Sequence, residues 1–348
     1  MIATKAYAAQ TKTSPLAPFN FERRDVGPHD VQIEILYCGV CHSDVHQARD
    51  EWGGSIYPMV PGHEIVGKVV KVGASVKKFK AGDLAGVGVM VDSCRVCKHC
   101  QSDLENYCVE GMTGTYNGYE RDGKTISQGG YSTQIVTDER YVLSISPKLD
   151  LKAVAPLLCA GITTYSPLRY MNVKKGMKVG VIGLGGLGHM GVKFAVSMGA
   201  EVTLISTSPS KAGDAKRLGA HHFLLSTDEK ECKKYDSYFD VLLNAVSADH
   251  DYDPYLRLLD LNGTMIIVGL PSKKPLVDPF ALLKNRRSII GSMVGGIKET
   301  QEMLDYCAEH NIVSDVEVIK MQYINEAYTR MLKSDVKYRF VIDMASLK

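Results

Sequence analysis

The chain has 348 residues, 45% hydrophobic and 23% charged, with a net charge of +2. This length suits about two domains, the composition is that of an ordinary globular protein, and so small a charge gives no electrostatic case for nucleic acid or a membrane surface. The N-terminus MIATKAYAAQTKTSPLAPF has no long apolar core, and no later run approaches a membrane span, so a chain that is neither exported nor membrane-bound is expected. Nine cysteines, an odd number, then fit reduced thiols in the cytoplasm.

Residues 1–150 read as β-rich, with short apolar runs such as VQIEILYCGV and EIVGKVVKVG broken by Gly, Pro and Asp turns. Val31, Ile33 and Ile35 alternate with Gln32 and Glu34, as on a half-buried strand. Within this region lies CRVCKHCQSDLENYC, whose Cys94, Cys97, Cys100 and Cys108 follow the spacing C-x₂-C-x₂-C-x₇-C. Four thiolates close a tetrahedral zinc shell, so a structural zinc lobe over 94–108 is expected. The competing disulfide reading is weak, because a chain of this length has core enough to fold without staples.

The rhythm changes near residue 151, where LKAVAPLLCAGITTYSPLRYM predicts helix with a break around Cys159. From 178 to 293 strands and helices alternate: KVGVIG, EVTLIS, DVLLNAV, GTMIIVG and SIIGSM read as strands separated by helical patterns. Such alternation implies a doubly wound parallel sheet. KETQEMLDYCAEH and INEAYTRMLK then predict amphipathic helices, and YRFVIDM a closing strand. The expected organisation is α/β, with a nucleotide domain at 158–298 inserted into a β-rich domain at 1–157 and 299–348.

GLGGLG, with Gly183, Gly185 and Gly188 as G-x-G-x-x-G around Leu184, Gly186 and Leu187, follows a predicted strand and opens a helix. In that context the motif binds a dinucleotide: a tight turn, close approach of backbone to pyrophosphate, and close helix–strand packing. An acid at the end of the next strand would hold the ribose 2′-hydroxyl of NAD. This chain has Ser206, Thr207, Ser208 and then Lys211, with no acid before Asp214. Hydroxyls and a lysine can donate to a 2′-phosphate that a carboxylate would repel, so NADP(H) is the expected cofactor.

A second metal site is not legible from spacing alone, since Cys41, His63 and Cys159 are far apart. GHEIVGKVVKVGASV, however, matches the zinc alcohol dehydrogenase signature G-H-E-x₂-G-x₅-G-x₂-V at every position. Along its length the chain resembles the zinc-dependent medium-chain dehydrogenase/reductase family. YCGVCHSDVHQ, YPMVPGHEIVG, LLCAGITTYSPL and VKYRFVIDM look like its cinnamyl-alcohol-dehydrogenase branch.

The resemblance implies a GroES-like β-rich catalytic domain beside a Rossmann domain, and two zinc ions per chain. It implies that Cys41, His63 and Cys159 hold the catalytic zinc, with Glu64 as a nearby or alternating ligand and Asp44 orienting His63. Ser43 would contact the substrate oxygen and His46 would relay its proton. His42 would approach the pyrophosphate, together with Gly183, Gly185, Gly186, Leu187 and Gly188, and Thr163 would approach the nicotinamide. The implied activity is reversible reduction of aromatic or medium-chain aldehydes by NADPH, in a homodimer.

Two departures from the branch stand out: Glu51, where plant members often carry Asp, and Gly114, where they place a bulky aromatic. Trp52 could supply an aromatic wall or simply pack under a loop. Gln47, Val89, Met112 and Met293 complete the pocket candidates. Cys38, Cys232 and Cys307 are expected to be buried structural thiols, and Arg286 with Arg287 a solvated turn.

Overall fold

A computed structural model describes residues 1–347. The chain divides into two compact units, Met1–Ile162 with Gly295–Lys348, and Thr163–Val294.

The first unit is built on a seven-stranded sheet. Its central strand, Asp30–Val40, pairs antiparallel with Ile65–Val72 on one side and Arg339–Asp343 on the other, and its first half also pairs with Gln134–Asp138. The alternation in sequence is real: Val31, Ile33 and Ile35 are fully buried, while Gln32 and Glu34 are not. Each such side chain contributes roughly 1.5–3 kcal/mol of burial. The strand from the C-terminal end is therefore a core element, with Phe340, Val341 and Ile342 wholly buried. That placement carries Arg339 inside as well.

The second unit is a six-stranded parallel sheet flanked by helices. Its strands run in the spatial order His222–Leu225, Glu201–Ser206, Lys178–Ile182, Phe239–Asn244, Leu259–Ile267, Ser288–Gly291. This is the 3-2-1-4-5-6 order of a dinucleotide-binding fold, with the reversal beside the first strand. The Gly-rich turn leads from Lys178–Ile182 into helix Gly188–Ser197. Gly183 takes φ +88°, and a Cβ on Gly188 would lie 2.0 Å from the Gly183 carbonyl, so helix and turn can close only without side chains there.

The break expected near Cys159 is present. Helix Leu151–Val154 tightens into a 3₁₀ turn over Ala155–Leu158, Cys159 leaves helical geometry at φ −132°, and helix Ala160–Tyr170 begins after it. Cys38, Cys232 and Cys307 are buried, the last beside Met303 and Leu304. Arg287 departs from the solvated turn expected. It is 8% exposed and donates to the carbonyls of Leu259 at 2.7 Å, Arg257 at 3.0 Å and Ala281 at 3.1 Å. A guanidinium has five donors in a rigid fork, which suits it to tie the Arg257–Leu259 stretch to the carbonyl of Ala281. Among the described residues no helix is long and apolar enough to cross a membrane.

Candidate active site

Two clusters of potential metal ligands form within the first unit. In the lobe, Cys94, Cys97, Cys100 and Cys108 converge with their sulfurs within 4.8 Å of one another. The backbone serves them: Cys97 N–H donates to Cys94 Sγ at 3.3 Å, Cys94 N–H to Cys108 Sγ at 3.3 Å, and Val109 N–H to Cys97 Sγ at 3.5 Å. The Val109 N–H first, then the Cys100 N–H, draw the Cys97 thiol down to about 6, whereas burial pushes Cys100 up to about 11. Turns that aim N–H groups at sulfur are suited to thiolates, so the donor set fits a four-coordinate zinc.

The second cluster joins four residues from three remote segments. Cys41 caps the short helix His42–Ala48, His63 and Glu64 precede strand Ile65–Val72, and Cys159 sits at the helix break. All four are buried, and their ligand atoms lie within 4.8 Å of one another. Cys41 and Cys159 Sγ are 3.8 Å apart. His63 donates from Nδ1 to Asp44 at 3.0 Å, leaving Nε2 as its ligand atom.

Electrostatics support a cation here. Hydrogen bonding between the two thiols holds Cys41 far below the usual thiol range and Cys159 far above it, so one proton serves both. Burial opposes charge on His63, yet Asp44 and Cys41 carry its pKa well upward. Burial pushes Glu64 up to about 7 against the pull of Arg339. One Glu64 oxygen accepts from Arg339; the other, Oε2, has no hydrogen-bond partner. Two thiols, an imidazole and an unsatisfied carboxylate oxygen fit a zinc ion, which would displace the protons they hold.

The remaining expected residues surround this cluster unevenly. Ser43 Oγ lies 3.7 Å from Cys41 Sγ. His46, one turn further along the same helix, holds Glu51 at 2.5 Å through Nδ1 and stacks on Trp52 at 4.9 Å. Trp52 is 48% exposed, so it lies over His46 and is not packed away under a loop. Gln47 follows His46 on the helix and is half-buried. The Val89 carbonyl accepts from Thr115, and the neighbouring Tyr116 stacks on His63 at 5.8 Å. Met112 precedes strand Thr113–Gly114, whose Gly114 pairs with Met90 of strand Met90–Asp92. His42 is exposed.

In the second unit Gly183, Gly185, Gly186, Leu187 and Gly188 form the turn. Ser206 ends the adjacent strand, and Thr207, Ser208 and Lys211 follow it, as the NADP(H) reading requires. Thr163 is buried on the helix after Cys159, and Met293 is 45% exposed.

Sequence reasoning missed Arg339 and Tyr131. An arginine opening the apolar run RFVID was the available signal for the first. Tyr131 lies in a GGYS turn whose significance only its neighbours reveal.

Comparison with known proteins agrees with this geometry. Residues 27–147 match the alcohol dehydrogenase GroES-like domain, and residues 186–309 match the zinc-binding dehydrogenase domain. An aldehyde reductase of Escherichia coli, YahK, is 56% identical, covering 99% of this chain and 99% of that protein. NADP-dependent alcohol dehydrogenase C 1 of Mycolicibacterium smegmatis is 54% identical over the whole of both chains. A cinnamyl alcohol dehydrogenase of Sorghum bicolor superimposes with a TM-score of 0.96 at 43% identity, covering 99% of each chain. The chain belongs to the zinc-dependent medium-chain alcohol dehydrogenase family, in its cinnamyl-alcohol-dehydrogenase-like branch.

Proposed function

We propose that the protein interconverts aldehydes and primary alcohols using NADP(H), with aromatic and medium-chain aldehydes of the cinnamaldehyde type as substrates. The observation that carries this is the buried convergence of Cys41, His63, Glu64 and Cys159. When bound there, zinc supplies a Lewis acid that polarises the carbonyl, while NADPH supplies the hydride.

The chain's own residues do the rest. Cys41, His63 and Cys159 hold the metal, and Asp44 keeps His63 in the tautomer that leaves Nε2 free. Ser43 hydrogen-bonds the substrate oxygen. His46, three residues later on the same helix face, gives it a proton during reduction and takes one during oxidation. Glu51 fixes the His46 ring through Nδ1. Glu64 is positioned to approach the metal through its unpartnered Oε2. His42 and the glycine turn serve the pyrophosphate, and Thr163 the nicotinamide. Val89, Met112, Gln47 and Trp52 line the substrate side within the first unit, where a methionine tolerates varied apolar shapes.

Ser206, Thr207, Ser208 and Lys211 receive the 2′-phosphate. Ser206→Asp is expected to raise KM for NADPH by roughly 10–100-fold, the weight of a lost charge-assisted contact, and to leave KM for NADH unchanged or lower. An unchanged NADPH KM would remove this assignment. The primary test follows nicotinamide absorbance with zinc-loaded protein and an aldehyde panel. Rapid NADPH oxidation by cinnamaldehyde or benzaldehyde, with little NADH oxidation, is the expected result. Activity confined to NADH would overturn the cofactor assignment.

Two coarser features complete the reading. Ser288–Gly291 is an edge strand with exposed Leu276, Phe280 and Leu283 nearby in sequence, which favours a homodimer formed across that edge. Nine cysteines with no disulfide among them favour a reducing, cytoplasmic setting.

A further inference from the structure

Asp44 is completely buried, and four donors reach its carboxylate. Oδ1 accepts from Gly62 N–H at 3.1 Å and His63 Nδ1 at 3.0 Å. Oδ2 accepts from Cys41 N–H at 2.8 Å and the Tyr131 hydroxyl at 3.2 Å. Three of these donors belong to the segments that carry ligands, so the carboxylate ties the Cys41 turn to the His63 turn. The fourth comes from a segment that carries no ligand.

Tyr131 itself is held rigidly. Its ring is fully buried, its N–H donates to Pro61 O at 2.9 Å, and its carbonyl accepts from Tyr7 at 2.9 Å. The hydroxyl therefore presents a fixed donor to a carboxylate that could otherwise rotate about its terminal torsion, which is broad and soft. Without it Oδ2 keeps a single donor, and the plane that aligns Oδ1 with His63 Nδ1–H is less well determined. Groups that orient a metal-bound histidine commonly change metal affinity or activity by 10–100-fold when removed. A tyrosine one step further out is expected to fall near the lower end of that range.

We infer that Tyr131 is a positioning residue for the catalytic metal, acting through Asp44 to lock the orientation of His63. This rests on the ligand reading above. A merely structural tyrosine would contribute its ring to the core, which Phe reproduces. A positioning hydroxyl contributes the one bond that Phe lacks.

The test measures zinc release to a chelating dye from the wild type and from Tyr131→Phe, alongside thermal midpoint and the absorption spectrum of the cobalt-substituted protein. Cys159→Ala identifies which release phase belongs to the buried cluster. Tyr131→Phe is expected to release that zinc about 10-fold faster, to shift the cobalt bands, and to lower kcat more than it raises KM. The lobe zinc and the thermal midpoint should stay at wild-type values. In an Asp44→Asn background the same change should add nothing, because the pathway through the carboxylate is gone. Unchanged release from the buried cluster would overturn the inference. So would equal loosening of both zincs with a lowered midpoint, or a full effect persisting in Asp44→Asn. A wild type whose Cys159→Ala variant keeps both zincs would strike instead at the ligand reading.

Discussion

The two ligand clusters of the first unit have the same size and opposite construction. The lobe gathers Cys94, Cys97, Cys100 and Cys108 from a single short stretch, near the surface, with backbone N–H groups pointing at sulfur. The other gathers Cys41, His63, Glu64 and Cys159 from three separate segments, all buried, with charged side chains as its support. A closed shell of local thiolates can do little but hold the fold together. A buried set containing an imidazole, two thiols and a carboxylate with one unpartnered oxygen has the chemistry to bind a metal. The two clusters therefore differ in what surrounds the ligands as much as in the ligands themselves.

The sharpest way to break this contrast is Cys159→Ala. It is expected to reduce zinc from two ions per chain to one and to cut turnover by roughly 10²–10³-fold or more, the scale of losing a polarising group. Metal analysis with an aldehyde-reduction assay checks both. Retained zinc with undiminished turnover would erase the distinction between the clusters.

Arg339→Met tests the charged support. It removes the partner of a buried carboxylate, a change that costs about 3–5 kcal/mol when no other cation takes its place. Burial already pushes Glu64 up to about 7, and loss of Arg339 would raise it further, so Glu64 would be protonated at neutral pH. Denaturant unfolding should show the loss. A variant as stable as the wild type would mean that the Glu64–Arg339 pair is not what keeps this charge inside.

The smallest effect concerns the lobe and pH. Its thiols titrate far apart: Cys97 near 6, drawn down by the Val109 N–H, and Cys100 near 11, raised by burial. Zinc must displace the Cys100 proton throughout the neutral range, so lobe affinity should rise with pH there. Below about pH 6 Cys97 also takes a proton, and the dependence should steepen. Competition titrations between pH 5 and 9 would reveal it, and a flat profile would contradict the assigned ionisation states.

Much of this molecule is decided by sequence alone, and the parts that are share one property: their contacts are local. Cysteine spacing defines the lobe because x₂ turns bring sulfurs together without help from the rest of the chain. GLGGLG marks its turn because Gly183 and Gly188 meet conformational demands that no other residue satisfies. The alternation of Val31, Ile33 and Ile35 gives a strand with one buried face, and the run of β and α segments gives a parallel sheet. The missing acid after Ser206 gives the cofactor preference.

What only the tertiary structure decided is which distant polar groups share a buried space. Cys41 and Cys159 are 118 residues apart, and nothing in their spacing brings their sulfurs to 3.8 Å. Only the family signature pointed to them beforehand. Arg339 reads as the edge of an apolar strand, yet pairing of that strand with Asp30–Val40 carries it against Glu64. Arg287 reads as a surface charge, yet three carbonyls receive it inside. Tyr131 reads as a turn aromatic, yet its hydroxyl ends on Asp44. A buried polar group is stable only when its partners are already in place, and those partners come from strand order and helix packing that no local pattern encodes.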